Sequence, residues 1–370
     1  MRGPSLMQVA IAAVVAGGLA LALHRPEPVA QTVAPSARAP VETPASASAS
    51  VPVPMAPAAA PAAALPATAE AWTVPDPDAL PDDIYGRTVR RGRDLIARTS
   101  SLIGPDATDP AMRFAGNGLD CQSCHLRAGT QQFGLPLAGI WGVFPQYIGR
   151  ENEVRTLEER VNGCMERSMN GRPLLVEGPE MKAILTYIRH VSAPERVGRS
   201  LHGRGSPPLP LPTRAADPVR GRQVFAETCA ACHGAGGEGQ RLDAAEAGEV
   251  GRRYRFPPLW GPDSYNDGAG MARTITAARF VHANMPLGTT FEAPAIAVED
   301  AFDVTAFVNS QPRPHKAKLE ADYPDRSKKP VDAGYPPFIG PFTPEQHRYG
   351  PWAPIQDWLR ANSEASRTTN

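Results

Sequence analysis

The chain has 370 residues, with 38 lysines and arginines balanced by 38 aspartates and glutamates, enough length for two domains of ordinary size. Zero net charge excludes the basic excess that marks a nucleic-acid-binding protein. Of five cysteines, four stand in two identical Cys-x-x-Cys pairs, each followed directly by histidine, too regular a placement for an ordinary disulfide framework.

The N-terminus begins with Arg2 and an uncharged run from Met7 to Leu23, rich in alanine, valine and leucine. Such a run is slightly long for a signal-peptide core and slightly short for a membrane span. Residues 1–25 therefore read as a signal peptide or an N-terminal membrane anchor, with 7–23 as the tether in the second case. No small-x-small cleavage site follows, which tips the reading towards an anchor. Either form places the rest of the chain outside the cytoplasm, in the periplasm. Of the 45 residues from Pro26 to Glu70, 26 are alanine or proline, a composition that cannot build a core and predicts a disordered spacer over 26–73.

The globular part begins near Val74. Arg90–Ala97 carries a helical pattern with Leu95 and Ile96 inward and Gly92 open for close packing, and Glu180–Val191 repeats Met181, Ile184, Leu185 and Ile188 at i, i+3, i+4, i+7. A proline-rich stretch, 205–217, reads as a linker. Asp217-Pro218 is a helix start, Val224 and Phe225 give that helix its apolar face, and Asp300–Asn309 closes the second half with Val304, Phe307 and Val308 inward. Both halves thus follow one plan: helix, Cys-x-x-Cys-His, irregular stretch, closing helix. Each also has a Pro-Leu step before Trp-Gly, at Pro136-Leu137 with Trp141-Gly142 and at Pro258-Leu259 with Trp260-Gly261. The expected domains are 74–204 and 218–315, followed by an ordered, proline-rich tail over 316–370.

Cys121-Gln-Ser-Cys124-His125 and Cys229-Ala-Ala-Cys232-His233 match the attachment sequence of c-type haem. Thiols three residues apart can each bond one haem vinyl group, and the next residue supplies an axial nitrogen. A zinc site would need the pairs to converge, and a thioredoxin-like site a βαβ setting. The fold class expected is therefore mainly α, two cytochrome c-like haem domains in tandem behind a disordered Ala/Pro-rich spacer, with two covalently bound haem c groups. For the sixth ligand of the second haem, Met285 lies 52 residues after His233, and a thioether there suits a high-potential electron-transfer haem; His282 and Met271 are rivals. In the first half the unpaired Cys164 stands 39 residues after His125. Leu157, Val161, Cys164, Met165 and Ser168 form a helical stripe, and Arg160, Cys164 and Ser168 share one face. Gly163 weakens that helix by about 1 kcal/mol relative to alanine. Met165, Met169, His190 and His202 compete with Cys164 as ligands, and a buried, inert thiol is the plain alternative.

The stretch from Thr156 to Gly171, with Cys164 in its middle, resembles the active-site segment of the dihaem thiosulfate dehydrogenases, which couple two thiosulfates into tetrathionate or run in reverse. Phe256–Pro262, Gly268–Met271 and Asn284–Pro286 resemble the second-haem segment, and Gln346–Gly350 the C-terminal tail; the resemblance covers Val74 to Ile355. It implies Cys164 as distal ligand of the first haem and Met285 of the second. It also implies that Arg150, Arg160 and Ser168 hold substrate, with a small redox acceptor as partner. Some relatives carry a ligating lysine where this chain has Asn284. Two other readings fit the same residues: a non-catalytic dihaem electron carrier, and the Cys-ligated haem subunit of a sulfur-oxidising complex.

Overall fold

A computed structural model describes residues 73–193 and 201–368. The N-terminal apolar run and the Ala/Pro spacer up to residue 72 lie outside the described residues. The helices longer than ten residues are, in chain order, α1 (Ile84–Ala97), α2 (Leu157–Arg167), α3 (Pro179–Val191), α4 (Pro218–Thr228), α5 (Thr274–Asn284), α6 (Val298–Ser310) and α7 (Ala353–Thr368). None of the described helices is long and apolar enough to cross a membrane.

The two halves repeat a helix crossing made possible by glycine. Asp83 caps α1 by accepting the Gly86 N–H at 2.8 Å, and the helix buries Val89, Gly92, Leu95 and Ile96. α3 faces it with Met181, Ile184, Tyr187 and Ile188. A Cβ at Gly92 would stand 2.0 Å from the Ala183 carbonyl oxygen, so only glycine lets these backbones meet. In the second half Asp217 caps α4 by accepting the Val219 N–H at 2.8 Å, with Pro218 in the first turn. There a Cβ at Gly221 would fall 1.9 Å from the Asp303 carbonyl oxygen of α6. The predicted helices form; α1 begins six residues before its apolar pattern, where Asp83 caps it.

Two short antiparallel hairpins complete the scaffold. β1 (Gln146–Ile148) pairs with β2 (Glu153–Arg155), Gln146 opposite Arg155, and β3 (Gln240–Arg241) pairs with β4 (Tyr254–Phe256). At two or three residues per strand they show no alternation that a sequence pattern could reveal.

The proline-rich linker and the tail are packed structure. Leu209 and Leu211 of the linker join a core of Ile275, Ala278, Phe302, Trp352 and Ile355, in which Trp352 is fully buried. The halves meet through paired polar groups. Asn117 donates to the carbonyls of Ser168 at 2.9 Å and Ser264 at 3.0 Å, and Gly118 donates to Asp263 at 2.6 Å. Asn284 accepts from Gln131 at 2.9 Å and donates to the Phe133 carbonyl at 3.1 Å.

Candidate active site

The first pentapeptide begins in a turn of 3-10 helix, Cys121–Ser123, capped by Asp120. The Asp120 carboxylate accepts the Ser100 N–H at 2.9 Å, and Thr99 Oγ1 accepts the Cys121 N–H at 3.0 Å. These bonds fix the loop before the ring of His125, whose Nδ1 lies 2.5 Å from the Leu135 carbonyl oxygen. In the second half Cys229 ends α4, and one further turn carries Cys232 and His233. His233 Nδ1 lies 2.8 Å from the Pro257 carbonyl oxygen. A carbonyl only accepts, so Nδ1 carries the proton in both rings and Nε2 is left to bind a metal. Both carbonyls belong to the residue just before the repeated Pro-Leu step, which gives that repeat its physical meaning.

Haem c fits these residues. None of the five cysteines is paired, each histidine presents Nε2, and a cavity of about 450 Å³ lies against His125, Leu135, Ile140, Arg160 and Arg204. Buried Nε atoms of Arg150, Arg155, Arg279 and Arg313 meet no acceptor among the described residues. No three His, Cys, Asp or Glu side chains among the described residues converge on a metal-ion position, so each Cys pair serves its own half.

The three cysteines of the first half differ electrostatically. Burial pushes the Cys121 and Cys124 thiols up to about 12. Burial also raises Cys164, but Arg160 and His125 outweigh it and bring that thiol down to about 6. α2 sets up this geometry. Thr156 and Glu159 form a capping box, with the Thr156 N–H donating to the Glu159 carboxylate at 2.9 Å. The helix runs unbroken through Gly163 and places Arg160 one turn before Cys164, its guanidinium 2.9 Å from the sulfur. Ser168 C-caps α2 one turn further on. Arg160, Cys164 and His125 therefore come together, with Ser168 adjacent along the helix.

Arg150 sits apart from that trio, in the turn between β1 and β2. Its guanidinium lies over the Tyr323 ring at 5.9 Å, and its Nε is 4.0 Å from the Asp322 carboxylate. Arg204, which lines the cavity beside His125 and Arg160, carried no signal in the sequence because it directly precedes a stretch read as linker. Among the rival ligands, Met165 and Met169 are buried in the first core and Met271 packs against it. His190 is buried on α3, with its ring edge-on to Tyr85. His202 is exposed, edge-on to Phe133.

In the second half Met285 is the C-cap of α5, half-buried, its N–H donating to the Val281 carbonyl at 2.9 Å. One turn before it, Val281 packs, as do Cys229 and Trp260, against the core of Val224, Phe225, Val304 and Phe307. His282 is turned to the Ile296 carbonyl at 2.7 Å.

Over 248 residues the chain is 42% identical to "Thiosulfate dehydrogenase" of Allochromatium vinosum, an alignment covering 66% of this chain and 85% of the relative. This chain belongs to the thiosulfate dehydrogenase family. A second family member, from Stutzerimonas stutzeri, is 37% identical over 66% of this chain and 74% of its own length. Residues 113–197 match the family described as "SoxA/TsdA, cytochrome c domain", and 218–312 match "Cytochrome c". Among solved structures, the thiosulfate dehydrogenase TsdBA of Marichromatium purpuratum in its as-isolated form aligns with a TM-score of 0.59 at 37% identity. That alignment covers 67% of this chain, which spans half the length of the solved chain. The family member described here thus contains two cytochrome c domains in tandem, which carry covalently bound haem c.

Proposed function

We propose that this chain is an exported, periplasmic dihaem oxidoreductase that couples two thiosulfates to one tetrathionate. The observation that carries this reading is the meeting of Arg160, Cys164 and His125, with Arg160 and His125 also lining the cavity. In the reaction one S–S bond forms between the outer sulfurs of two dianions, two electrons leave and no proton moves. When bound, the two haems supply sites for those electrons.

Cys121 and Cys124 would hold the first haem through their sulfurs, with His125 Nε2 and the Cys164 sulfur the groups offered to its iron. Cys229, Cys232, His233 and Met285 would play the corresponding parts in the second half. Arg160 keeps Cys164 in its thiolate form and presents guanidinium donors to a sulfur oxyanion, a geometry for which arginine is well suited. The family resemblance implies that Ser168 and Arg150 add a hydroxyl and a second cation to the anion-binding wall, Arg150 from the β1–β2 turn rather than from the cluster itself. A thiolate at Cys164 would lower the potential of the group held in the first half, and a thioether at Met285 would raise that in the second, a difference that favours the Met285 side as the exit for electrons. A small redox partner such as another cytochrome c is the acceptor this reading requires. Residues 7–23 provide a tether to the inner membrane if they are retained.

The test is an anaerobic steady-state assay of the purified holoprotein in both directions, with haem counted as the pyridine haemochrome. Two haems per chain, and tetrathionate formed from thiosulfate with two electrons released per product, are expected. A single haem, or full haem loading without tetrathionate chemistry in either direction, overturns the reading.

A further inference from the structure

The chain after α6 lies outside both cytochrome c domains, yet its segment 319–339 closes on the hairpin turn that carries Arg150. Asp322, 7% exposed, is the centre of this contact. It accepts both prongs of Arg167 from the end of α2, at 2.8 and 2.7 Å, and the Tyr335 hydroxyl at 2.8 Å. The next residue, Tyr323, donates its N–H to the Arg150 carbonyl at 2.7 Å and lies with its ring under the Arg150 guanidinium. Gly149 permits the approach, since a Cβ there would stand 2.8 Å from Lys328 Cβ.

The charges do not cancel. Arg167 takes the Asp322 carboxylate in a bidentate pair, while Arg150 keeps only a 4.0 Å contact to the same group and an Nε with no hydrogen-bond acceptor. The neighbouring Arg326 and Lys329 are bonded to backbone carbonyls. One buried carboxylate therefore orients Arg150 without neutralising it, leaving its charge for an external anion.

We infer that Asp322 is a positioning residue that holds Arg150 for the substrate anion, so that the C-terminal tail completes the anion-binding wall of the first haem domain. The inference rests on Arg150 belonging to that wall. It predicts that Asp322 acts through Arg150 rather than only by fastening the tail.

The test compares Asp322→Asn, Asp322→Glu, Tyr335→Phe and Arg150→Ala holoproteins, with Asp322→Asn and Tyr335→Phe also made on the Arg150→Ala background. Haem content and melting temperature are checked first. Thiosulfate affinity is then measured on the oxidised protein by absorbance titration, alongside KM and kcat. Asp322→Asn is expected to weaken thiosulfate binding about tenfold, raising KM more than it lowers kcat, with Asp322→Glu recovering part of the loss. Neither Asp322→Asn nor Tyr335→Phe should weaken binding further once Arg150 is alanine. Tyr335→Phe, which removes one bond to Asp322 without touching a charge, carries the test if Asp322→Asn does not fold. Unchanged affinity in the foldable variants, or full additivity with Arg150→Ala, overturns the inference. Absence of tetrathionate chemistry in the unaltered protein would instead sink the proposed function.

Discussion

The two haem-bearing halves share a scaffold and differ where chemistry happens. In each, a glycine lets two helices cross at backbone contact, and a histidine is fixed through Nδ1 to the carbonyl before a Pro-Leu step. They diverge in the sulfur-bearing element that follows. In the first half α2 brings an Arg160–Cys164 pair to His125. In the second, Met285 ends α5. On the function proposed above, the shared attachment plan moves electrons and the unequal sulfur-bearing elements decide which half meets an anion.

This contrast can be broken in order of expected effect. Cys164→Ala should abolish tetrathionate turnover while both haems remain attached. Met285→Leu should leave thiosulfate binding intact and lower only the second haem's reduction potential, as read by spectroelectrochemistry, because methionine ligation raises it. Arg160→Ala should reduce kcat/KM by about 10²–10³, the cost of removing one oriented donor to developing or bound negative charge, with a smaller loss for Arg160→Lys. A comparable loss from a second-half arginine such as Arg313, whose guanidinium bonds the Leu259 and Val308 carbonyls, would blur the contrast.

The shared scaffold makes the opposite forecast, of equal effects. Gly92→Ala and Gly221→Ala each force a methyl group onto a carbonyl oxygen and should each cost about 1–3 kcal/mol by overpacking. In a chain of this size that amounts to a fall of about 2–4 °C in Tm per kcal/mol. A large loss from one and none from the other would show that the halves are not built alike. Smallest are the caps: Thr156→Ala and Asp217→Ala should each cost about 1 kcal/mol in thermal or denaturant unfolding.

Much of this was legible in the sequence because it is local. The pentapeptides, the Asp217-Pro218 start, the apolar faces of α1, α3 and α6, and the Arg160–Cys164 spacing all depend on residues within a turn or two of each other. The Pro-Leu repeat was visible as a pattern, and its use as a carbonyl clamp for histidine emerges only when the loop is folded back. What the sequence hid is long-range. The surroundings of Arg150 come from Asp322 and Tyr323, far along the chain in a segment whose prolines suggest only an ordered wrap. Leu209, Leu211 and Trp352 bury themselves in the second half's core without the periodicity of a helix or strand. Arg204 gains meaning only by standing beside His125 and Arg160.

Whether unlike sulfur ligands hold the two haems is read from low-temperature electron paramagnetic resonance of the oxidised protein and its Cys164→Ala variant. Two distinct low-spin haem signals are expected in the unaltered chain, of which only the thiolate-type signal disappears in the variant. A spectrum unchanged by the loss of Cys164 would rule that residue out as a ligand.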